Sequence, residues 1–295
     1  MNLIQIFKKF PTQESCIEYL EQKRWGDNII CPYCESSKTC KHLHRNQCWN
    51  CKKSFSVTVG TIFHHTHLPI QKWFLAITLI LNAKKGISSR QLARDLELPV
   101  KTAWSLSHRI RKAMTGDQAE LLSGIVEMDE TYIGGKPRKE AKKKDKDDDD
   151  KGSPRGRATK KECVVGMIER GGKVKAGNVS KDELKAKDLQ ELVRNNINTS
   201  ESILMTDEYR GYFGMNKVVK HFSINHSKEY ARGAIHTNSI ESFWAIVKRG
   251  MVGQFHKVSK KYLNRYLDEF CWRFNNRDNE NNFDDLVGNM LFVRG

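Results

Sequence analysis

Two Cys-x-x-Cys pairs, Cys31-Pro-Tyr-Cys34 and Cys48-Trp-Asn-Cys51, stand thirteen residues apart near the start of the chain. At this spacing two knuckles converge on a single tetrahedral ion. Four thiolates fill the coordination sphere and leave no position for water. The expectation is therefore a structural Zn²⁺ whose binding is coupled to local folding. A redox Cys-x-x-Cys accounts for one pair and leaves the other without a use. Cys40, His42 and His44 lie between the knuckles, as substitute ligands or as surface positions, and His64, His65 and His67 read as a polar turn. The chain holds eight cysteines, and Lys8 and Lys9 interrupt the start where a secretory segment would have to continue. A disulfide scaffold is thereby disfavoured, and a cytoplasmic location is expected.

The charge distribution points the same way as the metal. The formal net charge is +16, and residues 61–115 hold nine Lys and Arg against only Asp95 and Glu97. Such a field attracts polyanions, though a soluble basic surface would look alike, so charge needs a motif beside it. One follows directly. In Gly86-Ile-Ser-Ser-Arg-Gln-Leu, Ser88 can cap a helix, Gln91 can complete a capping box, and Ile87 can staple onto Leu92. After a turn at 97–99, a second helix to about Met114 would bury Val100, Ala103, Ser107 and Ile110. That leaves Lys101, Ser105, His108, Arg109 and Lys112 on an outer face suited to a DNA groove. A helical hairpin with an ordinary basic face is the plainer alternative. No stretch approaches the roughly 20 apolar residues of a membrane span.

Periodicity outlines the rest. Residues 1–25 read as an amphipathic helix with Ile17 and Leu20 on one face and a start at Pro11 and Thr12. Phe55, Val57 and Val59 alternate as a hairpin strand ending near Gly60. A helix over 70–85 carries Ile70, Trp73, Phe74, Ile77 and Leu81 as one stripe, with Gly86 stopping it. Apolar strands at 125–128, 163–168 and 203–205, a turn at Gly171-Gly172, and helices near 182–195 and after 237 imply an α/β domain. Tyr262, Leu263, Tyr266, Leu267 and Phe270 recur at helical spacing, for the core or for a partner. Residues 136–161, with four consecutive Asp at 147–150, cannot build a core and read as a disordered insertion. The chain is thus a multidomain α+β protein with three parts. Residues 1–65 hold the N-terminal helix and zinc ribbon, 66–118 the helix-turn-helix, and 119–295 an α/β catalytic domain with a mixed sheet.

Three acids fit the chemistry such a domain would perform. Phosphodiester transfer by two metal ions needs carboxylates from separate elements, because each ion wants oxygen ligands while keeping sites for water and phosphate. Asp129 and Asp207 each follow an apolar strand, and Glu241 opens a helix, so the three can meet above one sheet edge. Lys248, two turns beyond Glu241, can hold a DNA backbone. Asn238-Ser-Ile-Glu241 also fits a capping box, in which Glu241 would only bond the Asn238 backbone. Glu127, Glu130 and Glu208 flank the chosen acids and read as solvated surface.

The stretches MDETYIGG from Met128, TDEYRGY from Thr206 and HTNSIESFWAIVKRG from His236 give this pattern a family. From the ribbon to about Arg277 the chain resembles D-D-E insertion-sequence transposases with an N-terminal zinc ribbon, relatives of the eukaryotic Merlin elements. The resemblance implies an RNase H-like catalytic fold, with 77 residues between the two Asp and 33 between Asp207 and Glu241. It implies two catalytic Mg²⁺ or Mn²⁺ ions at Asp129, Asp207 and Glu241, with Asn238 and Lys248 in support. In this group the third position is sometimes Asn, so Asn238 and Glu241 both stand as the third ligand, with Glu241 favoured. Double-stranded DNA is the implied partner, and joining two ends implies a homodimer or larger assembly. The rivals are a DNA-binding regulator with an inert domain and a nuclease that cuts without joining.

Overall fold

The computed structural model describes residues 1–42, 45–115, 120–134, 161–180, 182, 184–224 and 235–293. The chain divides into two units, Met1–Gly116 with Asn276–Gly295, and Asp117–Asn275.

In the first unit the N-terminal segment forms two helices rather than one, α1 (Leu3–Lys9) and α2 (Gln13–Trp25). Each begins with a capping box, Asn2 with Gln5 and Thr12 with Ser15. These satisfy backbone N–H groups that would otherwise be orphaned. A three-stranded antiparallel sheet follows, with β1 (Thr39–His42), β2 (Arg45–Cys48) and β3 (Ser54–Phe55) in that order. The strand expected to run to Gly60 stops at Phe55. Beyond it the Arg24 guanidinium takes the carbonyls of Val57 and Val59 at 2.6 and 2.8 Å, which bends the chain away from the ladder.

Three helices come next, α3 (Ile70–Asn82), α4 (Ser89–Asp95) and α5 (Val100–Ala113). Ser88 caps α4 by accepting from Gln91 N at 3.1 Å. The capping box is not completed, because the Gln91 side chain bonds Asp95 and Arg94 instead. The turn into α5 passes through Glu97 at φ 51°. Residues 276–295, expected to continue the catalytic domain, fold into this unit. Their helix, Asn282–Phe292, buries Phe283, Leu286, Val287, Met290 and Leu291, one apolar stripe at helical spacing. Phe283 meets Phe74 edge-to-face, with ring centroids 5.4 Å apart.

The second unit is a five-stranded mixed sheet of order β6-β5-β4-β7-β8. Its strands are β4 (Leu122–Ile133), β5 (Glu162–Glu169), β6 (Val174–Val179), β7 (Ile197–Thr206) and β8 (Lys220–Ser223). The first three pair antiparallel; β7 runs parallel to β4, and β8 parallel to β7. Gly171, at φ 75°, makes the turn between β5 and β6. The expected insertion lies outside the described residues but for Lys161, between the paired strand ends Ile133 and Glu162.

Strand alternation sorts the side chains of β4 to two faces. Val126 and Met128 join a cluster with Leu189 and Val193 of α6 (Ala186–Asn196). Glu127, Asp129 and Thr131 therefore point to the opposite face. There Ile133 packs with α7 (Asn238–Gly250) and α8 (Leu263–Asn275). Leu263, Tyr266, Leu267 and Phe270 of α8 are all part of that core. Gly166 of β5, the ladder partner of Asp129, lets α7 approach the sheet. A Cβ at that position would stand 2.5 Å from the Trp244 ring.

Candidate active site and metal centre

The knuckles meet as their spacing demands. The sulfurs of Cys31, Cys34, Cys48 and Cys51 all lie within 4.8 Å of one another. Cys31 and Cys51 are 3.7 Å apart, and Cys34 and Cys48 3.6 Å. A tetrahedron with arms of about 2.3 Å has edges near ~3.8 Å, so the donor set fits Zn²⁺ without rearrangement. Both knuckles use the same backbone device, a left-handed residue just after the second cysteine: Glu35 at φ 58° and Lys52 at φ 59°. The backbone N–H groups of Cys51 and Asn50 draw the Cys48 thiol down, while burial and the neighbouring sulfurs push that of Cys51 up, as expected of four thiols crowded without a cation. Cys40 stands in β1 outside this group. The His42 side chain and His44 lie outside the described residues.

In the second unit, Asp129 sits near the far end of β4, Asp207 immediately after β7, and Glu241 in the first turn of α7. Neighbouring parallel strands thus bring two acids to one sheet edge, and α7 brings the third over it. Burial raises the Asp129 carboxyl to about 7, helped by the negative charges of Glu130, Asp207 and Glu241. Two of these charges belong to the other members of the predicted triad. The carboxylates are looser than the thiols, which form the one such group among the described residues with every donor atom within 4.8 Å. Asp207 accepts from Tyr209 N at 3.0 Å, and Glu241 accepts from the Thr237 hydroxyl at 3.0 Å.

Glu241 does not close a capping box on Asn238. Thr237 is the N-cap, and Asn238 is an exposed first helical residue. The helix start is satisfied instead by Glu127, whose carboxylate accepts from Ser239 N at 2.7 Å and Ile240 N at 3.0 Å. Glu127 is fully buried, with Arg170 Nε donating to it at 2.6 Å. Its reading as solvated surface is wrong. The signal available in sequence was its place two residues before Asp129, hence on the same strand face. Glu130, on the other face, accepts from the Tyr212 hydroxyl at 2.7 Å.

Lys248 lines a groove of about 510 Å³ together with Glu130, Lys161, Met251, His256 and Lys257. The basic members other than Lys248 come from segments with no motif, so sequence reasoning missed them. On α5 the expected outer face is only half realised. Lys101 and Ser105 are exposed and Lys112 is partly so. His108 is 2% exposed. Arg109 turns inward, bonding the carbonyls of Ile62 and His64 and lying over the Trp73 ring at 5.1 Å. Neither belongs to a solvent face. The segment at 62–64 covers that side of the helix, while Val100, expected inside, is 50% exposed.

Two family models agree with this organisation. Residues 121–275 match the ISXO2-like transposase domain, and residues 11–54 match a transposase zinc-ribbon domain. The chain is similar to an uncharacterized protein in transposable element ISH50 of Halobacterium salinarum, with 27% identity over 285 residues. That alignment covers 90% of this chain and 92% of the relative. It is also 37% identical over 79 residues to a transposase-like protein of Haemophilus influenzae, covering 26% of this chain and 63% of the relative. Among solved structures, a pre-cleavage Mos1 transpososome aligns with a TM-score of 0.30 and 14% identity, covering 72% of this chain and 77% of that one.

Proposed function

Because the chain belongs to the family of ISXO2-like transposase domains, we propose that it is a D-D-E DNA transposase that cuts its element's ends and joins the freed 3′ hydroxyl to target DNA. The observation that carries this reading is geometric: Asp129 on β4 and Asp207 at the end of the neighbouring parallel strand β7 share one end of the sheet, with Glu241 in the first turn of α7. Asp207 and Glu241 both add to the negative field that raises the Asp129 carboxyl; a divalent cation among the three would relieve that field, and oxygen donors suit Mg²⁺ or Mn²⁺. Two such ions, when bound, supply Lewis-acid stabilisation of the attacking and leaving oxygens.

The protein's own contributions follow from its geometry. Asp129 and Asp207 each follow by two residues the last ladder pair of two parallel strands, Glu127 and Met205, so the ladder behind them sets where both stand. Glu241 is the third ligand, and exposed Asn238 is the other oxygen donor on that turn. Lys248, with Lys161 and Lys257 in the same groove, holds a phosphate backbone in line for attack by water and then by the 3′ hydroxyl. No covalent protein–DNA intermediate is required.

The order β6-β5-β4-β7-β8, with three antiparallel strands and two parallel ones, supports an RNase H-like catalytic domain. Helices α4 and α5 act as the helix-turn-helix, with Lys101, Ser105 and Lys112 toward DNA, and the ribbon assists in reading the element's ends. On this reading residues 1–65 are the ribbon domain, 66–118 the helix-turn-helix and the rest the catalytic domain, except for the last helix, which packs in the N-terminal unit. A relation to Merlin elements belongs to the same reading, as does an intracellular site of action at DNA. Among the described residues no helix is long and apolar enough to cross a membrane. Two ends must be brought together, so at least a dimer acts.

The test is a strand-transfer assay with Mg²⁺ and the DNA flanking the chain's own coding sequence, comparing the natural protein with Asp207→Asn. Joined product from the natural protein alone is expected, with DNA binding retained by the variant. Cleavage without joining would indicate a nuclease, and binding without cleavage by either protein a regulator.

A further inference from the structure

A buried ionised carboxylate is costly unless paired and hydrogen-bonded, and replacing such a pair by apolar residues is often neutral or stabilising. Glu127 is therefore poorly explained as a stability device. It is fully buried on a strand whose neighbours Val126 and Met128 are apolar. Its carboxylate is nonetheless saturated: Ser239 N at 2.7 Å, Ile240 N at 3.0 Å, Ser239 Oγ at 3.1 Å and Arg170 Nε at 2.6 Å, with His236 Nδ1 at 3.4 Å. Arg170 is itself fixed at both ends. Its backbone N–H donates to Ile125 O of β4 at 2.9 Å, and its Nη2 donates to His236 O, just before α7, at 2.8 Å.

Register gives this cluster its meaning. Glu127 precedes Asp129 by two residues on one strand face, and Ser239 precedes Glu241 by two residues at the start of α7. The anchor between strand and helix thus lies one step behind both acids. We propose that Glu127 is a positioning residue: clamped by Arg170, it ties the first turn of α7 to β4 and so sets where Glu241 stands relative to Asp129. The inference rests on the transposase reading and adds to it a residue that touches neither metal nor DNA. A metal site with three ligands from three elements tolerates little displacement, and a misplacement of about 1 Å can cost about a hundredfold in rate. Through Glu127 the strand that carries one ligand governs the helix that carries another.

The experiment measures end cleavage as a function of Mg²⁺ for the natural full-length protein, Glu127→Asp and Arg170→Lys, with Mn²⁺ binding followed by calorimetry. Glu127→Asp keeps the charge and shortens the tether by one methylene. Arg170→Lys keeps the charge but cannot span Glu127 and His236 O together. Both are expected to cleave about 10- to 100-fold more slowly at low Mg²⁺, to need more Mg²⁺ for half-saturation, to bind Mn²⁺ more weakly, and to bind DNA and unfold as the natural protein does. A merely structural role would lower the unfolding temperature and leave the metal dependence of the folded fraction unchanged; that result overturns the inference. So do folded variants with natural rates and natural Mg²⁺ dependence. Should Glu127→Asp not fold, Arg170→Lys decides by the same measures. A natural protein that neither cleaves nor binds Mn²⁺ would sink the transposase reading and this inference with it, whereas natural cleavage with unaltered variants would sink the inference alone.

Discussion

Asp129 is held where an ionised carboxylate is least comfortable. Burial and the charges of Glu130, Asp207 and Glu241 raise its pKa to about 7, well above the usual value near 4. In the folded, metal-free protein this group keeps its proton through a pH range in which the unfolded chain has lost it. Its contribution to stability is therefore fully present below about pH 4 and is lost as pH rises toward about 7. Asp129→Asn removes the titration while keeping the shape. In chelator, the variant should lose less stability than the natural protein between pH 4 and pH 8, the gap reaching roughly 2–4 kcal/mol. Thermal unfolding across pH checks this, and parallel profiles would show that the acid is not strained. Excess divalent cation should close the gap by stabilising only the natural protein. The same substitution should abolish cleavage, which makes the strain part of the site rather than a defect of the fold.

At the scale of elements, the seat of α7 on β5 depends on one missing side chain. A Cβ at Gly166 would stand 2.5 and 2.7 Å from two atoms of the Trp244 ring and 3.0 Å from Ile240 Cδ1. Trp244 is buried in a packed cluster and cannot swing away. Gly166→Ala should therefore push α7 off the sheet and cost roughly 1–3 kcal/mol of stability. Gly166 pairs with Asp129 across the ladder, so end cleavage should fall by more than the loss of folded protein explains. Calorimetry beside cleavage rates measures both, and a variant as stable and as active as the natural protein would refute this account of the packing. Gly166 is not recognisable in sequence, because a glycine inside a strand says only that something comes close, not what. What was legible obeyed local rules: the Cys-x-x-Cys knuckles, the turn at Gly171, and most of the stripe of α3, where Ile80 rather than Leu81 is buried and the helix ends at Asn82 instead of running to 85. What was not legible depended on distant partners. Helical spacing gives an angle around α5 but not the segment 62–64 that claims Arg109, and alternation past Phe55 gives no hint of Arg24. Glu127 was misread for the same reason, since only α7 and Arg170 make a buried carboxylate acceptable there.

Across the whole molecule, the positive charge has to be apportioned between general attraction and particular contacts. A net charge of +16 predicts binding to any duplex with a steep dependence on salt, because each neutralised phosphate releases condensed counterions. Lysines spread over a surface contribute weakly and through screened fields. A lysine that pairs with one phosphate lowers the slope of log K against log salt by about 1 when removed. Lys248 and Lys257 share one groove whose lining includes Glu130, the neighbour of Asp129, whereas Lys101 lies exposed on α5 in the other unit. If the groove carries the DNA backbone, Lys248→Ala and Lys257→Ala should each lower the slope by about 1, with similar losses on element-end and unrelated duplexes, since phosphate contacts carry no sequence information. Lys101→Ala, on the proposed reading helix, should weaken binding to element ends more than to unrelated DNA. Duplex binding at several NaCl concentrations separates the two behaviours. Unchanged slopes for both groove variants would mean that the DNA passes elsewhere, and equal losses on both duplexes for Lys101→Ala would remove α5 from recognition while leaving the acids' chemistry untouched.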